Sequence, residues 1–181
     1  MLDVRTRILE AALRLLGEGG AQNVTQPRVS KEAGVRQSHL TYYFPTVTDL
    51  LQAVARHSFQ SLAKELGGAD ARERPGPLAE VIAKATREKR RVRVMLGLVQ
   101  SADRDASLKP GMRRFIRELR GGIEPLLRSA GLAATPEDIA FLHAVVVGCA
   151  VLQLARDNDE ARAEARIVLE RAIAAMPKER A

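Results

Sequence analysis

The chain has 181 residues, a formal net charge of +7 and a pI near 10.2; 46% of its residues are hydrophobic and only 3% aromatic. That length holds one sizeable core or a small head with a larger body, and the basic balance favours a polyanionic partner. A lone cysteine, Cys149, excludes an intramolecular disulfide, and its place in an apolar stretch suits a small buried hydrophobe. Alanine, leucine and arginine dominate and β-branched runs are few, so an all-α fold is expected. No apolar run reaches the roughly 18 residues of a membrane span. Asp3, Arg5 and Arg7 interrupt the N-terminus where a signal peptide would have its apolar core, so a cytoplasmic protein with no membrane partner is expected.

In chain order, a first helix is predicted over about Val4 to Gly17, with Ile8, Leu9, Ala12, Leu15 and Leu16 on one broad face. Gly17, Gly19 and Gly20 end it. Thr25 is an N-cap for a short second helix, with Pro27 in its first turn, and Gly34 supplies a turn. A third helix follows from about Arg36 to Phe44. Thr46 and Asp49 fit a capping box for a fourth helix that runs to about Leu66.

Gly67-Gly68 and the stretch to Pro75-Gly76-Pro77 mark the expected domain boundary, giving a head over residues 2–62 and a body over 63–181. Helical periodicity resumes at Leu78 and continues, with breaks, to Asp105. Lys109-Pro110-Gly111 predicts another break, and a helix from Met112 to Ala130 is expected to kink or break around Gly121-Gly122 and Pro125. Thr135-Pro136-Glu137-Asp138 is a helix start for an apolar helix to about Arg156. Asp157-Asn158-Asp159 breaks it before a last helix to about Met176.

The two short helices joined through Gly34, over residues 25–44, make a helix-turn-helix, whose second helix enters a DNA major groove. The surrounding residues resemble the tetracycline-repressor (TetR) family of bacterial transcription regulators. The resemblance rests on Arg7-Ile8-Leu9-Glu10-Ala11-Ala12-Leu13-Arg14-Leu15-Leu16 and Gly20. It continues through Thr25, Val29, Ala33, Gly34-Val35, Leu40, Tyr43-Phe44 and Leu50-Leu51. It implies an N-terminal DNA-binding head, a helical body for ligand binding and dimerisation, and a double-stranded DNA operator as partner.

On the third helix Val35, Leu40 and Phe44 are the expected apolar anchors. Arg36, Gln37, Ser38, His39 and Thr41 are left for DNA. Gln suits bidentate contact with adenine, and Ser, Thr and His suit base edges or phosphate. Tyr42 and Tyr43 are the chain's two tyrosines, and a hydroxyl there suits a phosphate oxygen. By resemblance the start of the second helix, with Gln26 and Arg28, also touches DNA. The chain departs from the family at Thr41, where Tyr is common, and at Val47, where Lys is common; Arg36 and Arg28 are the candidates to compensate.

Lys84 to Arg93 holds six basic residues against one acid and predicts a solvated face, an anion site or a DNA-backbone contact. Met95, Leu96, Val99, Met112, Phe115, Ile116 and Leu119 are candidates for a ligand cavity that takes a small-molecule inducer. Phe141, Ala144, Val145, Gly148 and Leu152, with Ile167 and Arg171 on the final helix, predict a two-fold dimer interface. The three histidines are scattered, and the spacings of a metal site, a phosphate loop and a nucleophile elbow are absent. The expectation is a homodimeric, ligand-responsive repressor with a palindromic operator, no catalytic residue, no cofactor and no metal. The alternative is a basic helical adaptor with protein partners and no specific DNA readout.

Overall fold

Helix α1 (Val4–Gly19) starts where the Asp3 carboxylate accepts the Thr6 N–H at 2.7 Å. It stops at Gly20, whose φ of 75° is the left-handed region that side chains disfavour. The computed structural model describes residues 3–67 and 78–178; the expected Gly68 to Pro77 boundary lies outside the described residues. Helices α2 (Gln26–Ala33) and α3 (Gln37–Tyr43) follow, then α4 (Val47–Gly67). Thr46 and Asp49 form the predicted capping box: Asp49 N–H donates to Thr46 Oγ1 at 3.0 Å, and Thr46 N–H donates to the Asp49 carboxylate at 3.1 Å.

Next come α5 (Leu78–Thr86) and α6 (Lys89–Arg104), a single 3-10 turn over Ala106–Leu108, and α7 (Lys109–Ser129). Helices α8 (Pro136–Arg156) and α9 (Asp159–Ala174) complete the chain. No strand occurs among the described residues beyond one isolated bridge between Leu132 and Lys178.

The fold is all-helical, with two differences from expectation along α7. Lys109-Pro110-Gly111 opens the helix instead of separating two, because proline is tolerated in a first turn whose N–H groups lack helical partners. Gly111 also approaches α4 closely: an added Cβ would sit 3.3 Å from Gln52 Cγ. The helix then continues through Gly121, Gly122 and Pro125. The proline forfeits one bond to Gly121, while the next two residues, Leu126 and Leu127, are buried and hold the last turns in place. Gly131, at φ 75°, ends the stretch; its N–H donates to Arg128 O and that of Leu132 to Leu127 O.

The chain divides into two compact units, Met1–Leu62 with Arg93–Ile116, and Ala63–Val92 with Arg117–Ala181. In the first, Ile8, Leu9, Leu16, Val29, Leu40, Leu50 and Val54 form a core joined by Leu98 and Leu108. The α6–α7 corner is tied to α4 within it: Thr48 Oγ1 donates to Asp105 Oδ2 at 3.1 Å. In the second unit α5, α8 and α9 pack mutually around Ile82, Leu127, Ile139, Leu142 and Leu169. Cys149 is buried there, and burial pushes its thiol pKa up.

Helix α8 corrects one expectation. Its best 18-residue window has a mean hydropathy of 1.9, so by length and composition it is apolar enough to cross a membrane. No uninterrupted apolar run marks it, because His143 and Gln153 punctuate the stretch. Only 28% of that window is buried, since apolar residues occupy both its inner and its outer faces.

The start of α8 carries a full capping box, with Asp138 N–H donating to Thr135 Oγ1 at 3.2 Å and Thr135 N–H to the Asp138 carboxylate at 2.9 Å. Thr135→Ala removes the hydroxyl and should lower unfolding free energy by about 1 kcal/mol. Urea titration at fixed protein concentration measures this; a midpoint equal to that of the unaltered chain contradicts it.

Candidate nucleic-acid interface

An isolated helix as short as α3 is not stable in water, so its surroundings must hold it. The turn before it does so first. Gly34 is left-handed at φ 62°, its N–H donates to Lys31 O at 3.1 Å, and Val35 N–H donates to Ser30 O at 3.0 Å. This pair of bonds closes α2 and reverses the chain. Arg7, from α1, then donates Nη2 to the carbonyls of Ala33 at 2.7 Å and Gly34 at 3.0 Å. A cation is favoured there, at the negative end of α2.

Apolar anchors complete the support. Leu40 is 0% exposed and is the buried residue of α3, and Phe44 is buried at its end. The Arg5 guanidinium lies 5.7 Å from the centroid of the Phe44 ring, within cation–π range. Val35 is half-buried against the same core.

The remaining positions face outward. Arg36, Gln37, Ser38 and His39 are exposed, and Tyr42 is 81% exposed. Tyr43 is partly exposed and meets the Tyr42 ring edge-on at 5.3 Å. Thr41 is half-buried and donates its hydroxyl back to the helix carbonyls of Gln37 and Ser38, leaving its oxygen as an acceptor only. Gln26 and Arg28 have internal roles. Gln26 Nε2 donates to Pro45 O at 3.0 Å and to Phe44 O at 3.4 Å, which secures the end of α3. Arg28 Nη1 donates to Asn23 Oδ1 at 2.6 Å. Thr25 occupies the N-cap position of α2 without a side-chain capping bond.

Arg7 and Arg5 were not singled out as functional by sequence. The available signal is their position on α1 beside Ile8 and Leu9, on a face where a basic residue borders the core.

The candidate ligand residues are spread out. Met112 and Phe115 pack on the first unit's core, while Val99 is exposed and Met95, Leu96, Ile116 and Leu119 are half-buried. Of these, Met112 borders a crevice of about 20 Å³ with Leu51, Leu98 and Leu108. The candidate dimer residues form an outer stripe on α8 and α9: Phe141 is 52%, Leu152 54% and Ile167 49% exposed. Ala144, Gly148 and Arg171 are exposed as well, and Val145 is half-buried. An added Cβ at Gly148 meets nothing within 4 Å. Nearby, Arg120 Nε donates to His143 Nδ1 at 3.4 Å; burial, then the charge of Arg120, holds the histidine pKa below its usual value.

Arg7→Ala leaves two carbonyls at the turn without their charged donor, and should destabilise the chain by about 1–3 kcal/mol. Thermal unfolding followed by circular dichroism checks this, with faster amide exchange expected at Val35. Unchanged unfolding and exchange would mean that the turn holds without Arg7.

Comparison with known proteins matches these features. Residues 8–54 match the family described as bacterial regulatory proteins, tetR family, and residues 69–175 match the tetracyclin repressor-like C-terminal domain. The HTH-type transcriptional regulator BetI of Brucella canis is 32% identical over 65 residues, covering 36% of this chain. The matched stretch spans 33% of that relative's own length. A TetR-family member from Streptomyces coelicolor A3 superposes with a TM-score of 0.73 at 26% identity, covering 94% of this chain and 98% of the other. The multidrug binding protein EbrR, complexed with ethidium, gives a TM-score of 0.72 at 27% identity, covering 94% of this chain and 98% of the other. With a helix-turn-helix model at one end and a C-terminal model over more than half its length, this chain belongs to the tetR family of bacterial transcriptional regulators.

Proposed function

We propose that the chain is a repressor that binds a palindromic operator as a homodimer and releases it when a small molecule binds. The carrying observation is the polarity of α3, where Leu40 and Phe44 are buried while Arg36, Gln37, Ser38, His39 and Tyr42 face outward. In this reading residues 2–62 serve as the DNA-binding head and 63–181 as the ligand-binding and dimerisation body. Gln37 and His39 contact base edges, Ser38 bases or phosphate, Thr41 a base edge that offers a donor, and Arg36, Tyr42 and Tyr43 the backbone. Gln26 and Arg28 belong to the same interface in this reading; Arg28 is exposed, and Gln26 secures the end of α3 through Pro45 and Phe44. The protein acts in the cytoplasm, and catalysis has no part in the mechanism.

Two-fold symmetry sets the distance between the two reading helices, which must match successive major grooves about 34–36 Å apart. An inducer acts by favouring a state with another spacing. A near-complete switch needs roughly 5.5 kcal/mol of differential affinity. The exposed stripe of Phe141, Leu152 and Ile167 supports placing the symmetry axis at α8 and α9, and accounts for an apolar helix that one core alone does not cover. The same apolarity is better satisfied by a partner helix than by lipid, because α9, which packs against α8, is rich in charge, with Arg162, Glu164, Arg166, Glu170 and Arg171. Family membership favours DNA readout over the basic-adaptor alternative.

Two sets of variants test this reading. Tyr43→Phe should weaken binding almost uniformly across operator sequences, while Gln37→Ala should relax preference at particular base pairs, by about 1–3 kcal/mol. Footprinting titrations distinguish the two patterns, and wild-type behaviour in both variants would remove α3 as the reading face. Gly148→Arg places a charge within the proposed interface, where an unpaired buried charge is costly. Sedimentation should then show monomers that no longer hold a palindromic site; a dimer with normal DNA binding would put the interface elsewhere.

A further inference from the structure

The basic segment at the α5–α6 corner has no part in the DNA reading above, yet it borders a cavity of about 50 Å³ inside the second unit. Thr86 and Arg87, at and just beyond the end of α5, meet Lys89 of α6, Gln153 near the end of α8, Asp157 and Arg162 there. Gln153 is 7% exposed, on a helix that is otherwise mostly apolar. Its Nε2 donates to Thr86 Oγ1 at 2.8 Å and to the Cys149 carbonyl at 3.3 Å. The Thr86 hydroxyl donates in turn to Ala83 O at 2.8 Å, so it can only accept from Gln153, which sets the orientation of the amide. The Gln153 Oε1 then accepts no hydrogen bond among the described residues. A buried carbonyl without a donor is costly and uncommon.

Of the ionic residues of the same cavity, one guanidinium has no carboxylate beside it among the described residues. Lys89 holds Asp157 at 2.6 Å, and Arg162 pairs with Asp157 at 3.8 Å and with Asp159. The Arg87 guanidinium is exposed and pairs with no carboxylate among the described residues. Arg87, Lys89 and Arg162 against Asp157 give the lining a formal charge of +2.

We propose that this cavity binds a small carboxylate that carries a hydroxyl or amino group on the adjacent carbon. The carboxylate answers the forked donors of Arg87, and the neighbouring O–H or N–H donates to Gln153 Oε1. A plain carboxylate leaves Gln153 unpaired, and a plain cation meets the surplus positive charge. An apolar ligand answers neither group. A volume of about 50 Å³ suits a ligand of a few heavy atoms.

The test is a nuclear magnetic resonance titration of the full chain without DNA, so that its outcome is independent of operator binding. Glycolate, glycine and acetate are the probes. Glycolate or glycine should shift the Gln153 side-chain amide and the Thr86 backbone amide saturably, about tenfold tighter than acetate. Which of the two binds distinguishes the hydroxyl from the amino source. Gln153→Met should erase the advantage over acetate. Arg87→Ala, at an exposed position that leaves folding intact, should weaken every carboxylate. Acetate binding as well as the others, no saturable shift from glycolate or glycine up to about 100 mM, or unchanged affinity in Arg87→Ala would each overturn the proposal. If Gln153→Met does not fold, the probe comparison and Arg87→Ala still decide it.

Discussion

The turn at Gly34 is the constraint on which the functional surface depends. Helix α3 has too little length to persist alone, and its one buried residue, Leu40, contributes a single apolar anchor. Its direction is therefore set from outside. The left-handed glycine reverses the chain, Arg7 bridges the carbonyls of Ala33 and Gly34, and Gln26 grips the carbonyls beyond the far end. An added side chain at Gly34 would be strained by its φ and would sit 3.1 Å from the Arg7 guanidinium. Residues that serve the turn thus set which side chains of α3 face outward.

The second unit solves a different problem. Helix α8 buries Ile139, Leu142, Cys149 and Ala150 against α5 and α9, yet Phe141 and Leu152 remain in water. An apolar helix satisfied on one side only is marginal as a free surface and well suited to a symmetric partner. The polar pair of Gln153 and Thr86 sits on the inner side, where it links α8 to α5. Hydrogen bonding of that kind fixes the register of two helices more sharply than apolar packing does.

Local signals made much of this legible in sequence. The caps at Thr46 and Thr135, the glycine at position 34 and the break before α9 each rest on residues adjacent in the chain. The helix-turn-helix was legible for the same reason, because its turn chemistry and anchors fall within twenty residues of one another. What escaped was long-range. Arg7 reaches carbonyls that are 26 and 27 positions away, and the Gln153–Thr86 bond spans 67. No break interrupts α7 at Gly121, Gly122 or Pro125, for a related reason. Proline and glycine lower local helix propensity, but the burial of Leu126 and Leu127 outweighs that cost. A cavity is still less legible, since Met112 and Phe115 read alike whether they line a pocket or pack a core.

The central claim is that the outward face of α3 reads DNA sequence. The direct measurement is the affinity of the purified protein for its own upstream region against random duplex, titrated by fluorescence anisotropy at one stated salt concentration. The account predicts a ratio of at least about 10³ in favour of the upstream site, with a sequence-independent component that weakens as salt rises. A ratio near one, at every salt concentration tested, would contradict it.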